Sequence, residues 1–123
     1  MVESGNVLRD KSYSIAIKAV KLCGEIQKNR KEFNLTNQLI RSGTSIGANT
    51  REAIHSQSKR DFIAKLYIVL KETEESKYWL ELLVDTGYTT KEEVKCMYKE
   101  LIEIAKIITS SIVTTKSNIA KNV

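Results

Sequence analysis

The chain has 123 residues, of which 41% are hydrophobic and 28% charged, with no proline, five glycines and a formal net charge of +5. By size this is one domain, large enough to bury a core without metal or disulfide staples. So little backbone punctuation disfavours a turn-rich β-fold, and the reading is all-α: a few long helices with short connections.

The first predicted helix spans about 7–30. Leu8, Ile15, Ala19, Leu22 and Ile26 fall on one stripe, which Ala16 and Cys23 widen. Gly24 interrupts it at a cost of about 1 kcal/mol relative to alanine. The second helix, about 35–55, has a different texture. Leu39, Ile40, Ile46 and Ile54 give bulk, while Gly43, Gly47 and Thr50 recur at steps of four and three beside a polar stripe of Ser42, Ser45, Asn49 and Glu52. Such a face is expected to pack closely or to bond across an interface.

The third helix, about 58–85, is the most apolar. Ser58 and Asp61 have capping-box spacing ahead of Phe62. One stripe runs Phe62, Leu66, Val69, Thr73, Ser76, Leu80, Leu83, and Ile63, Tyr67, Leu70, Tyr78, Trp79 and Val84 spread beyond it. An excess of apolar surface predicts a second face to cover, so Ile63, Tyr67, Tyr78 and Trp79 are the candidate oligomer interface. Gly87 is placed to stop this helix. The fourth helix, about 91–114, opens on Thr90 and Glu93 and carries Val94, Tyr98, Leu101, Ile104, Ala105, Ile108 and Ile112, with residues 115–123 expected to fray. Short connections favour antiparallel neighbours, hence an up-down-up-down four-helix bundle in a single domain, 1–123.

Charge is unevenly spread. Residues 1–60 hold eleven Lys/Arg against five Asp/Glu, whereas residues 61–104 hold six against ten. The basic side raises the local concentration of polyanions. Lys18, Lys21, Arg41, Arg51, Lys59 and Arg60 are therefore the candidate nucleic-acid-binding residues, although each taken singly reads as a solvated charge. Lys28, Arg30 and Lys31 also suit the negative pole of the first helix. Glu72, Glu74 and Glu75 read as a solvated face, with Glu75 alternatively reaching Asn49 or Arg41 on helix two.

No apolar run approaches the roughly 18–20 residues needed to cross a bilayer, and Met1–Asp10 lacks the apolar stretch of a secretory signal. A cytoplasmic location is the expectation. Cys23 and Cys96 form no CxxC pair, and Cys23 reads as a buried thiol. The one histidine, His55, makes a Glu-x-x-His pair with Glu52, but a di-iron bundle requires a second pair and more inward carboxylates. No metal, no cofactor and no catalytic residue is expected.

Two stretches carry a resemblance. Gln38-Leu39-Ile40-Arg41-Ser42-Gly43-Thr44-Ser45-Ile46-Gly47-Ala48-Asn49, followed by Arg51-Glu52, resembles the second-helix signature of the small proteins encoded in intervening sequences of bacterial large-subunit (23S) ribosomal RNA genes. Asp61-Phe62-Ile63-Ala64-Lys65-Leu66, Leu70-Lys71-Glu72, Glu75 and Tyr78-Trp79-Leu80 resemble the third, and Lys11-Ser12-Tyr13 with Ala16 the first. Thr50 and Ala53-Ile54 depart from the pattern, where relatives commonly have an isoleucine and then a glutamate-glycine ending. The resemblance implies an up-down-up-down bundle that associates into five-membered rings. It also implies kinship with the accessory protein of diversity-generating retroelements, a basic pentamer that works with a reverse transcriptase and its RNA.

Together these features predict a non-enzymatic homo-oligomer, a pentamer by resemblance, that holds RNA or DNA backbone or a nucleic-acid-processing protein. Five copies would gather roughly 25 net positive charges, and clustering steepens phosphate affinity through counterion release. The rivals are a protein-interaction adaptor and, less favoured, a metal-dependent bundle enzyme.

Overall fold

The computed structural model describes residues 2–121, with side chains from Val7 to Lys121. It contains four helices and, among the described residues, no strand: α1 (Val2–Arg30), α2 (Asn34–Ile54), α3 (Lys59–Asp85) and α4 (Lys91–Lys121). The all-α reading holds. Two boundaries differ from the periodicity. α1 starts at Val2 rather than Val7, in a polar stretch where no apolar period could mark it. α4 does not fray at 115 but continues to Lys121, because Thr115 is buried and Ile119 packs partly against the core. Ile108, Ile112, Thr115 and Ile119 thus prolong one stripe at steps of four, three and four. Asn122 and Val123, the end of the tail expected to fray, lie outside the described residues.

Local chemistry accounts for the helix ends. Ser58 is extended (φ −139°, ψ 159°), and its hydroxyl accepts the Asp61 N–H at 3.0 Å. Thr90 Oγ1 likewise accepts the Glu93 N–H at 3.2 Å. At the close of α3, Gly87 takes φ +84°, where a Cβ would be strained, and the Tyr88 N–H reaches back to the Leu83 carbonyl at 2.9 Å. The Gly87 N–H bonds to the Val84 carbonyl at 3.0 Å, completing a Schellman closure. α2 has no side-chain cap at Phe33. Glu32 does that work from outside the helix, its two carboxylate oxygens accepting the Leu35 and Thr36 N–H groups at 2.7 and 2.9 Å.

Each helix packs on the next in sequence, and α1 also meets α4. Their shared core is built from Ile15, Leu39, Ile46, Leu66, Leu80, Leu83, Leu101, Ile104 and Ile108, all fully buried. The small residues of α2 face α1. A Cβ at Gly43 would sit 2.9 Å from Ala19 Cβ, and one at Gly47 would sit 3.4 Å from the Ser12 carbonyl oxygen. The expectation of a close helix approach is met on this side. Gly24, in contrast, faces open space on α1, with no atom within 4 Å of where its Cβ would be.

Candidate functional site

On its other side α2 meets α3 through polar groups. The Ser76 hydroxyl donates to the Ser42 hydroxyl at 2.8 Å, and both side chains are buried. Just outside this pair, the Arg41 guanidinium donates to Glu72 Oε2 at 3.4 Å and to Glu75 Oε1. Glu75 Oε1 also accepts the Trp79 indole N–H at 3.3 Å. Glu72 is 7% exposed, so its charge needs the arginine. Of the two partners open to Glu75 in the sequence, Arg41 is the one it contacts; Asn49 instead donates to Ser45 on its own helix at 2.9 Å.

These contacts redistribute the candidate cations. Arg41 is committed to two carboxylates. Lys18 is committed too, pairing across to α4 with Glu100, which also accepts the Ser14 hydroxyl at 3.2 Å. A second bridge joins the same helices, Lys11 Nζ to Glu103 Oε2 at 2.5 Å. It holds the Lys11 ammonium above its ordinary pKa and, through the same hydrogen bond, the Glu103 carboxyl below its own. Both Lys18 and Arg41, candidate phosphate ligands in the sequence, thus also link helices within the chain.

The other four remain available. Among the described residues, no carboxylate lies within ion-pair distance of Lys21, Arg51, Lys59 or Arg60. Arg51 lies over the Tyr13 ring at 5.3 Å, which orients it without neutralising it. Arg51, Lys59 and Arg60 stand at the end of the molecule where α2 hands over to α3, while Lys21 lies apart on α1. The six candidates therefore do not form one patch. Three of them share an end.

The interface candidates also separate. Tyr67 and Tyr78 are exposed, at 46% and 56%. Trp79 is half-buried, held by Glu75 and in edge contact with Tyr78 (centroids 4.9 Å apart). Ile63 packs into the chain's own core, three residues before Leu66 on the buried face of α3, and only its edge is open, at 9% exposure. Phe62, expected inside, is half-buried.

Glu52 and His55 are both exposed, and Glu52 pairs with Lys65 at 3.2 Å. Among the described residues no group of three or more His, Cys, Asp or Glu side chains is placed to hold a metal ion. Burial pushes the Cys23 thiol up to about 12, aided by the Glu32 charge, so it is inert at neutral pH. No helix of the described residues is long and apolar enough to cross a membrane.

The sequence reading missed one surface. Tyr13, Ile17 and Val20 are exposed together on α1, at steps of four and three. The signal was present as a second apolar period in helix one, hidden by the stronger stripe that forms the core.

A solved structure similar to this chain is a crystal structure of a protein of unknown function from the S23 ribosomal protein family of Bacteroides thetaiotaomicron VPI-5482. It is 47% identical, covers 89% of this chain and 97% of its own, and superposes with a TM-score of 0.85. No functionally curated protein matches the chain. The family model described as 23S rRNA-intervening sequence protein matches residues 6–110, and the chain belongs to that family.

Proposed function

We propose that this chain is a non-enzymatic scaffold whose four helices run up-down-up-down in an antiparallel bundle, and which assembles with copies of itself to hold the backbone of RNA or DNA. The order of helix contacts supports the bundle. Along α1, Ser12, Ala19 and Gln27 meet α2 at Gly47, Gly43 and Thr36 in turn, so one helix descends as the other rises. Ser42–Ser76 and Glu52–Lys65 repeat that reversal between α2 and α3. Exposed apolar side chains, chiefly Tyr13, Ile17 and Val20 on α1 with Tyr67 and Tyr78 on α3, favour self-association. Five copies is the number the resemblance implies, and a partnership of the retroelement kind, with a reverse transcriptase and its RNA, would suit such a ring.

The observation that carries the nucleic-acid reading is the set of cations left without carboxylate partners, above all Arg51, Lys59 and Arg60 at one end. Each phosphate contact in a clustered array releases counterions, so weak single charges add up in an assembly. Labelled RNA should bind at low salt, release as salt rises, and bind more weakly when Arg51, Lys59 and Arg60 are changed to glutamine. Absence of binding at low ionic strength would falsify this reading. Light scattering on the same sample tests the assembly, and a single 14.0 kDa species would overturn it.

The apolar α1 stripe favours a second reading, an adaptor that holds a partner protein. Nuclease treatment of a captured complex separates the two, since only an adaptor keeps its partner once the nucleic acid is gone. In either case a cytoplasmic location is proposed.

A further inference from the structure

A cleft opens between the start of α3 and the end of α4, lined among the described residues by Arg60, Ile63, Lys116 and Ile119. Its chemistry is split. Arg60 and Lys116 bring one cation from each helix, and no carboxylate of the described residues lies within ion-pair distance of either. Ile63 and Ile119 form an apolar floor between them. Tyr67 stands one turn beyond Ile63 on the same helix. Its hydroxyl accepts from Lys116 Nζ at 2.7 Å, and its ring centre is 5.2 Å from that ammonium. Nearly half of the tyrosine is open to solvent.

We propose that this cleft seats one nucleotide of a single-stranded nucleic acid, with the phosphate between Arg60 and Lys116 and the base against Tyr67 and the two isoleucines. The assignment rests on the reading above that the chain binds nucleic acid, and it names the form recognised. Two cations carried on separate helices favour a compact anion lodged between them. A bare phosphate has no use for an apolar floor, and a duplex keeps its bases stacked inside. An unpaired base satisfies both halves of the cleft, because its face stacks on an aromatic ring while its phosphate meets the charges. Lys116 and Tyr67 hold each other in place, so the site is formed before any ligand arrives.

The test uses the full chain and three fluorescent probes followed by anisotropy: a single-stranded RNA, a duplex of equal length, and anionic lipid vesicles. Lys116→Gln together with Arg60→Gln should weaken single-strand binding about tenfold or more, and should reduce the slope of log affinity against log salt by about one for each cation removed. Tyr67→Ala should cost the single strand about tenfold and leave the duplex unchanged, whereas Tyr67→Phe, which keeps the ring and loses only the hydrogen bond to Lys116, should cost less. A charge-matched control at the opposite end, Lys28→Gln with Lys91→Gln, should have little effect. All these side chains except Tyr67 are charged and exposed, and a circular-dichroism melt checks that every variant folds. Wild-type binding of RNA that is weakened by Arg51→Gln but indifferent to Lys116→Gln and Tyr67→Ala overturns the cleft alone. Equal losses on single strand and duplex in Tyr67→Ala overturn it too, as does preference for vesicles over RNA. A wild-type chain that binds no RNA at low salt removes the nucleic-acid reading itself.

Discussion

Helix α2 is held on its two sides by opposite means. Towards α1 the contact is made by what is missing: Gly43 and Gly47 carry no side chain, and the Ala19 methyl and the Ser12 backbone fill the space. Towards α3 it is made by groups that need each other, a buried serine pair and an arginine shared by two glutamates. The first seam is steric and indifferent to pH and salt. The second is electrostatic, and it fails when a partner is left alone. That difference explains why a helix whose sequence looks weak, with its glycines, serines and threonines, lies at the centre of contacts on both flanks.

The steric seam offers the largest effect. Gly43→Leu should destabilise the fold by about 3 kcal/mol or more, since overpacking can be relieved only by parting α1 from α2. Gly24→Ala, an equally helical position facing open space, should instead stabilise by about 1 kcal/mol. Urea denaturation of both variants checks the contrast, and a harmless Gly43→Leu would end the account of close packing. On the other seam, Arg41→Met should cost about 2 kcal/mol by stranding Glu72, a figure already reduced because the guanidinium is half exposed. Adding Glu72→Leu in that background should recover much of the loss. Equal instability in the double variant would mean that the arginine acts through packing rather than charge.

On the same helix Thr50 is fully buried, and its hydroxyl has no hydrogen-bond partner among the described residues. Thr50→Val removes an unsatisfied group at nearly constant volume and should raise stability by about 1 kcal/mol. A lower melting temperature in that variant would show that the hydroxyl does find a partner.

The smallest effect belongs to the start of α2. Burial raises the Glu32 pKa, but hydrogen bonds from Leu35 and Thr36 outweigh it and hold the carboxyl below its ordinary 4.5. A group whose pKa is depressed by folding contributes stability above that ordinary value and loses it as pH falls through the folded one. Glu32→Gln should therefore be slightly less stable than the parent at neutral pH, with the gap closing as pH falls below the ordinary 4.5 and through the folded value. A gap that is constant with pH would assign the cap to geometry alone.

What the chain determines by itself is the set of helices and most of their faces. Long apolar periods, the absence of proline and the signals at Ser58, Gly87 and Thr90 are local, and local physics reads them correctly. The buried sides of α1, α3 and α4 follow, as does the need of Gly43 and Gly47 for a close neighbour. The extension of α4 to Lys121 was less legible, because Thr115 and Ile119 gain their value only from what they pack against. Only the tertiary structure decided which charges remain free. Lys18 and Arg41 look like Lys21 and Arg51 in the sequence, yet the first two meet carboxylates on helices distant along the chain. Ile63 and Tyr67 are neighbours by one turn, and packing sends one into the core and leaves the other beside Lys116 at the surface. A pairing between helices depends on relative rotation and depth, which the whole core sets jointly and no short stretch of residues encodes.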